Sequence, residues 1–107
     1  MDIALLRKNS EFILSIKSHD GAFIDVVGGA QIVDFIDDFS AVCSNARAKM
    51  LKCAISGSVQ IMTRKRVKGA FGVDLYQAGR EIYLAPSEIM GMYNRLLTLR
   101  GKILLNT

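Results

Sequence analysis

AQIVDFIDDFSAVCSNARAKMLKCAI, residues 30–55, is the stretch on which the fold turns. Ile32, Phe35, Ile36, Phe39, Val42, Cys43, Ala46, Met50 and Ala54 recur at spacings of three and four. That period gathers side chains on one face of an α-helix. Asp34, Asp37 and Asp38 come early and Arg47, Lys49 and Lys52 late, the order that complements the helix dipole. Ser56-Gly57 reads as the stop. One long apolar face calls for a sheet to cover it.

Upstream, Ser18-His19-Asp20-Gly21 separates two apolar runs, and Asp-Gly accepts the positive φ of a tight turn. The runs at 11–17 and 22–27 therefore read as paired strands, closed by Gly28-Gly29. A short helical turn is expected over 2–8. Helical spacing (Ile3, Leu6) and strand alternation (Phe12, Leu14, Ile16) overlap here, so helix and hairpin both stay open for residues 1–20.

Downstream come short β signals. Val59, Ile61 and the basic run Thr63 to Lys68 make one strand, turned by Gly69 to Gly72. Val73 to Tyr76 makes a second, and Gln77-Ala78-Gly79-Arg80 turns it into a third over Glu81 to Ala85. Pro86-Ser87-Glu88 opens a helix with Ile89, Met92, Tyr93, Leu96 and Leu97 facing inward. Gly101 should end it, and Lys102 to Leu105 reads as a last short strand. Gly21-Ala22-Phe23 and Gly69-Ala70-Phe71 echo one another, as a duplicated strand–strand–helix unit would. The expected fold is a single α+β domain over 1–107. One antiparallel sheet of about five strands packs against a long central helix and a shorter C-terminal helix.

The segment Gly79-Arg80-Glu81-Ile82-Tyr83-Leu84-Ala85-Pro86-Ser87-Glu88, running on to Gly101-Lys102-Ile103, resembles the opening of OmpR-like winged-helix output domains. The resemblance implies a small sheet whose leucine strand hands over to a capped helix. That family reads DNA through elements that would lie beyond Thr107, so no functional residue carries over.

Composition narrows the classes. Half of the 107 residues are hydrophobic and 22% are charged, which is globular usage. A slightly positive mean hydropathy leaves apolar surface to bury, and a homo-oligomer is the expected outlet. No run approaches the roughly 18 apolar residues of a membrane span, and the first residues do not read as a signal peptide. Cys43 and Cys53 fall in what reads as one helix, about 15 Å apart, too far to bridge. Free thiols suit a reducing, cytoplasmic location.

Chemistry is sparse. His19 sits in a turn beside Asp20 with no nucleophile in view, and Asp34, Asp37 and Asp38 fit a solvated helix face. No metal spacing, phosphate loop or nucleophile elbow occurs, so no catalytic residue, metal or cofactor is expected. The charge is uneven. Residues 1–50 carry five Lys/Arg against seven Asp/Glu, and residues 51–107 carry nine against three.

Arg64, Lys65, Arg66 and Lys68 crowd one strand, and such a ribbon can lie along a phosphate backbone. Arg80, and beyond it Arg95 and Arg100, would extend the patch, with Tyr76 and Tyr83 available to stack bases. The same cations would also serve as guards on an exposed edge strand. A small basic nucleic-acid-binding or regulatory protein is the first expectation. The alternative is an adaptor or inhibitor that meets a protein partner through the apolar last helix at Met90, Tyr93 and Leu97.

Overall fold

Each of two antiparallel meanders delivers its last strand into a helix. The computed structural model describes residues 1–47, 53–64 and 70–106. In the first meander β1 (Asp2–Lys8), β2 (Glu11–Lys17) and β3 (Phe23–Val27) lie in chain order and lead into α1 (Gly29–Arg47). In the second, β4 (Cys53–Ser56), β5 (Val59–Thr63), β6 (Val73–Gln77) and β7 (Arg80–Leu84) lead into α2 (Pro86–Leu105).

Local chemistry explains the turns. Asn9 and Ser10 both take positive φ, as does the pair Ala78-Gly79, and each pair closes a two-residue hairpin. Positive φ at both central residues is what matches a hairpin turn to strand twist. At Gly57 the same need is met by glycine. Pro86 at the first turn and the Glu88 carboxylate, which accepts the Ala85 N–H at 3.0 Å, start α2.

The helices run antiparallel. Gly29 approaches Ile103, Asp37 pairs with Arg100 at 3.0 Å, and the Ser40 hydroxyl donates to Tyr93 at 3.2 Å. Beneath α1 lie β2, β3, β4 and β5, while α2 rests on β1 and β7. One cluster of buried side chains joins all these layers: Leu14, Ile16 and Ile24 from the first sheet, Ile61, Leu75 and Leu84 from the second, Phe35 and Phe39 from α1, Leu96 and Ile103 from α2. Each fully buried aliphatic or phenyl group of this kind contributes about 1.5–3 kcal/mol.

Several expectations change. Residues 2–8 form a strand rather than a helical turn, because Asn9-Ser10 supplies a hairpin turn without glycine. The long helix is seen through Arg47, with Met50, Lys49 and Lys52 outside the described residues, and Cys53–Ser56 is a strand paired with β5. Ser56-Gly57 begins a hairpin turn there instead of stopping a helix; both roles draw on glycine's positive φ. Among the described residues, seven strands in two sheets replace about five in one. Lys102–Leu105 continues α2, because Ile103 extends the buried series Ile89, Met92, Leu96, Leu99 past Gly101. The Gly-Ala-Phe echo is out of register with the repeated meander–helix plan: Phe23 opens the strand before α1, whereas β6 and β7 both intervene between Phe71 and α2.

Two local features yield expected results. Gly28 holds φ at +100° between β3 and α1, accepts the Ile32 N–H, and a Cβ there would overlap the Gln31 side chain. Gly28→Ala is expected to cost about 1–3 kcal/mol, read as a lower urea midpoint. At the β2–β3 turn the Ser18 hydroxyl and then the Ala22 N–H donate to the Asp20 carboxylate and hold its pKa below the ordinary aspartate value. A lowered native pKa stabilises above the ordinary value, and that contribution is lost as pH falls through the native one. Acidification should therefore lower the protection factor of the Ala22 amide relative to its intrinsic exchange rate, and Asp20→Ala should abolish that acid response.

Candidate interaction surfaces

The pleat divides the second sheet into two faces. Ala54, Val59, Ile61, Val73, Leu75, Ile82 and Leu84 turn toward the helices. Opposite them, the register aligns Cys53, Met62, Asp74 and Tyr83 in one cross-strand row and Ile55, Gln60, Tyr76 and Glu81 in the next. Ile55 is 73% exposed, so this outer face carries apolar as well as polar contacts.

Arg64 lies just past β5, its N–H bonded to Gly72 O at 2.8 Å. Its guanidinium reaches Asp74 at 2.6 Å and Glu81 at 3.6 Å and stacks 4.3 Å over the Tyr83 ring. The Asp74 hydrogen bond pushes the Arg64 pKa up, and a bond to the Glu81 carboxylate, with burial, raises Tyr76. Asp74 is itself buried, and its Oδ1 has no hydrogen-bond partner among the described residues. One cation therefore sits against two carboxylates. Lys65, Arg66 and Lys68 lie outside the described residues. β5 is an interior strand between β4 and β6 and ends at Thr63, so the cations read as edge guards lie past it, all but Arg64 outside the described residues.

Arg80 belongs elsewhere. It shares the helix-facing parity of Ile82 and Leu84, opposite to Arg64, so the two never form one patch. Its guanidinium stacks 4.3 Å over Phe23 of β3 and donates to Gln77 Oε1 at 3.2 Å. Gln77 joins the sheets: Oε1 accepts the Asp25 N–H at 3.0 Å, and Nε2 donates to Asp25 O at 2.6 Å and Ser58 Oγ at 2.8 Å. Its amide thus does for β3 what a neighbouring strand would do. Beside this seam an open cleft of about 570 Å³ is lined by Asp25, Asp34, Ser56, Ser58, Gln77 and Arg80, among others. Two carboxylates and one guanidinium line it, with no Cys or His. Among the described residues no group of three or more His, Cys, Asp or Glu could hold a metal ion. Arg95 donates to Ile3 O of β1 at 3.0 Å, and Arg100 is held by Asp37. Arg64, Arg80, Arg95 and Arg100, expected to share one phosphate patch, are scattered over separate faces.

The outer side of α2 differs. Met90, Leu97 and Leu104 are 49%, 41% and 47% exposed and stand seven residues apart, in line along the helix. Tyr93, half-buried with its hydroxyl on Ser40, belongs to the contact with α1 instead. Leu97, expected to face inward, faces out. At 100° per residue, α2 has a charge-free arc of roughly 200° between Arg100 and Lys102, and the row lies within it about 60° from Arg100. Arg95 is on the side toward β1 and Arg100 on the side toward α1. Gly101 also flanks the row, and a Cβ at Gly101 or at Gly91 would meet nothing within 4 Å among the described residues. A helical glycine costs about 1 kcal/mol relative to alanine, and no contact among the described residues requires either one. Leu104 escaped the sequence reading because 102–105 was expected to be a strand; the seven-residue step from Met90 and Leu97 is the signal for it.

Comparison with protein-family models finds no match, and comparison with curated protein sequences finds none either. No helix among the described residues is long and apolar enough to cross a membrane.

Proposed function

We propose that this protein is an interaction module whose working surface is the uncharged outer face of α2, and that its partner is a helix presenting a matching apolar, uncharged face. The observation that carries this reading is the exposed row Met90, Leu97 and Leu104 in a sector free of charge. Surface helices ordinarily place charged residues opposite the core, and contiguous apolar exposure marks a contact. The cations argue less well for nucleic acid. Arg64 and Arg100 are engaged by carboxylates, and Arg80 and Arg95 are held within the chain. A phosphate-binding role would rest on Lys65, Arg66 and Lys68, which lie outside the described residues.

The test sets two ligands side by side in fluorescence anisotropy. One is a labelled designed helix with a leucine-and-alanine face and charges only on the opposite face; the other is mixed single- and double-stranded DNA and RNA. The helix should bind with little dependence on salt and lose binding in Leu97→Lys. Nucleic-acid binding that falls steeply with salt, with no helix binding, would transfer the function to the basic segment.

A further inference from the structure

β3 is an edge strand, and the last part of its outer edge opens into the cleft beside Gln77. The Asp25 N–H and C=O both turn away from β2 and meet the Gln77 amide. In an antiparallel strand the outward pair recurs at every second residue, so Val27 turns its own N–H and C=O the same way, about 7 Å further along. Gly28, next in line, donates back to Phe12 O, as that alternation requires. The Val27 backbone groups have no hydrogen-bond partner among the described residues, and Val27 is exposed. The Gln77 amide thus stands where one peptide group of an added strand would sit, and the next place along is open. We infer that this place takes a short extended peptide with a basic side chain, paired with Val27 as an added strand.

The lining of the cleft selects that occupant. Val26, Val59 and Ala78 supply apolar wall. The carboxylates of Asp25 and Asp34 have no ion-pair or hydrogen-bond partner among the described residues. Arg80, the cation of the cleft, is held by the Phe23 ring and Gln77 Oε1 and pairs with neither carboxylate. The unmatched charge is therefore negative. A small amine would answer the carboxylates and leave the Val27 N–H and C=O unpaired. A helix has already spent its backbone groups on itself. An extended chain brings an acceptor and a donor for Val27 together with a cationic side chain. Because α1 begins at Gly29, β3 offers the newcomer a single residue to pair with, so binding needs the backbone and the carboxylates jointly. The site lies apart from the docking face on α2 and does not depend on it.

The probe is a labelled, end-capped peptide, Val-Arg-Val-Arg-Val, titrated into the full chain by fluorescence anisotropy and followed by amide hydrogen exchange. Valine favours the extended state, and alternation puts both arginines on one face. Binding should slow exchange at the Val27 amide and leave Val26, already paired with Leu14, unchanged. Asp25→Asn combined with Asp34→Asn should weaken binding about tenfold with unchanged circular dichroism. A probe methylated at every backbone nitrogen should fail to bind, and arginine amide should bind far more weakly than the peptide. Leu97→Lys, which disables the face on α2, should leave peptide binding intact. Absence of peptide binding overturns the inference, as does binding without slower exchange at Val27. Equal binding of the methylated probe or of arginine amide also overturns it, since the cleft would then be a site for cations rather than for a strand.

Discussion

Phe39→Ala is expected to remove about 3–5 kcal/mol of stability, the largest effect of any single substitution considered. Phe39 is fully buried at the middle of α1, with its ring 6.3 Å from that of Phe35. Truncation removes both the transfer energy of the ring and the contacts of the atoms lining the void. Relaxation into the void is hindered because α1 is held from two sides: β2, β3, β4 and β5 lie under it and α2 lies beside it. A domain of this size commonly has 5–15 kcal/mol in total, so the variant should sit near its unfolding threshold. Urea denaturation should show a midpoint roughly 2–4 M lower with little change in slope. A loss below about 1 kcal/mol would mean that the two layers are packed far more loosely at this point than the burial indicates.

Gln77→Met should cost about 2–4 kcal/mol although it preserves volume. Gln77 is 8% exposed and its amide satisfies the Asp25 N–H and C=O together. A thioether cannot replace those bonds, and a buried peptide group left without a partner costs about 1–3 kcal/mol. The loss should be local as well as global: Asp25 amide exchange should accelerate more than exchange at Ile61 or Leu75 in the interior of the second sheet. Gln77→Glu separates the two halves of the interaction, because it keeps an acceptor for the Asp25 N–H but loses the donor to Asp25 O. It should fall between the parent and Gln77→Met at low pH, where the carboxyl is neutral and can donate, and do worse once ionised. Equal behaviour of the Glu variant at both pH values would assign the stability to packing rather than to the amide.

Much of the fold could be read in advance where one physical signal stood alone. The buried positions of α1 from Ile32 to Ala46 were evident from their period, and strands read at 11–17, 22–27, 73–76 and 81–85 from apolar runs between turns match β2, β3, β6 and β7 to within a residue. Errors arose where one chemistry serves two structures. Asn9-Ser10 makes a turn without the glycine that normally announces it, and Ser56-Gly57 suits a helix stop as well as a hairpin. Gly101 is a plausible terminus until Ile103 is seen to continue the buried face. The two-sheet arrangement was not legible because Gln77 acts through a contact 52 residues away. For the same reason Arg64 looked like part of a free patch. Its carboxylate counterpart Asp74 becomes visible only once β5 and β6 are in register.

The serial order of the strands has a kinetic consequence. Within each sheet every neighbour in space is also the neighbour in sequence, so strand pairing closes only short loops, whose entropy cost is small. The long-range steps are the meeting of Asp25 with Gln77 and of α1 with α2, and α1, which covers β2 and β3 as well as β4 and β5, joins the two meanders into one core. Hairpin formation should therefore be rapid and reversible in each half, with the barrier at their collapse onto a common centre. Substitutions at the seam and in the helix pair should then slow refolding more than substitutions at the hairpin turns, which should chiefly change how fast the native state opens.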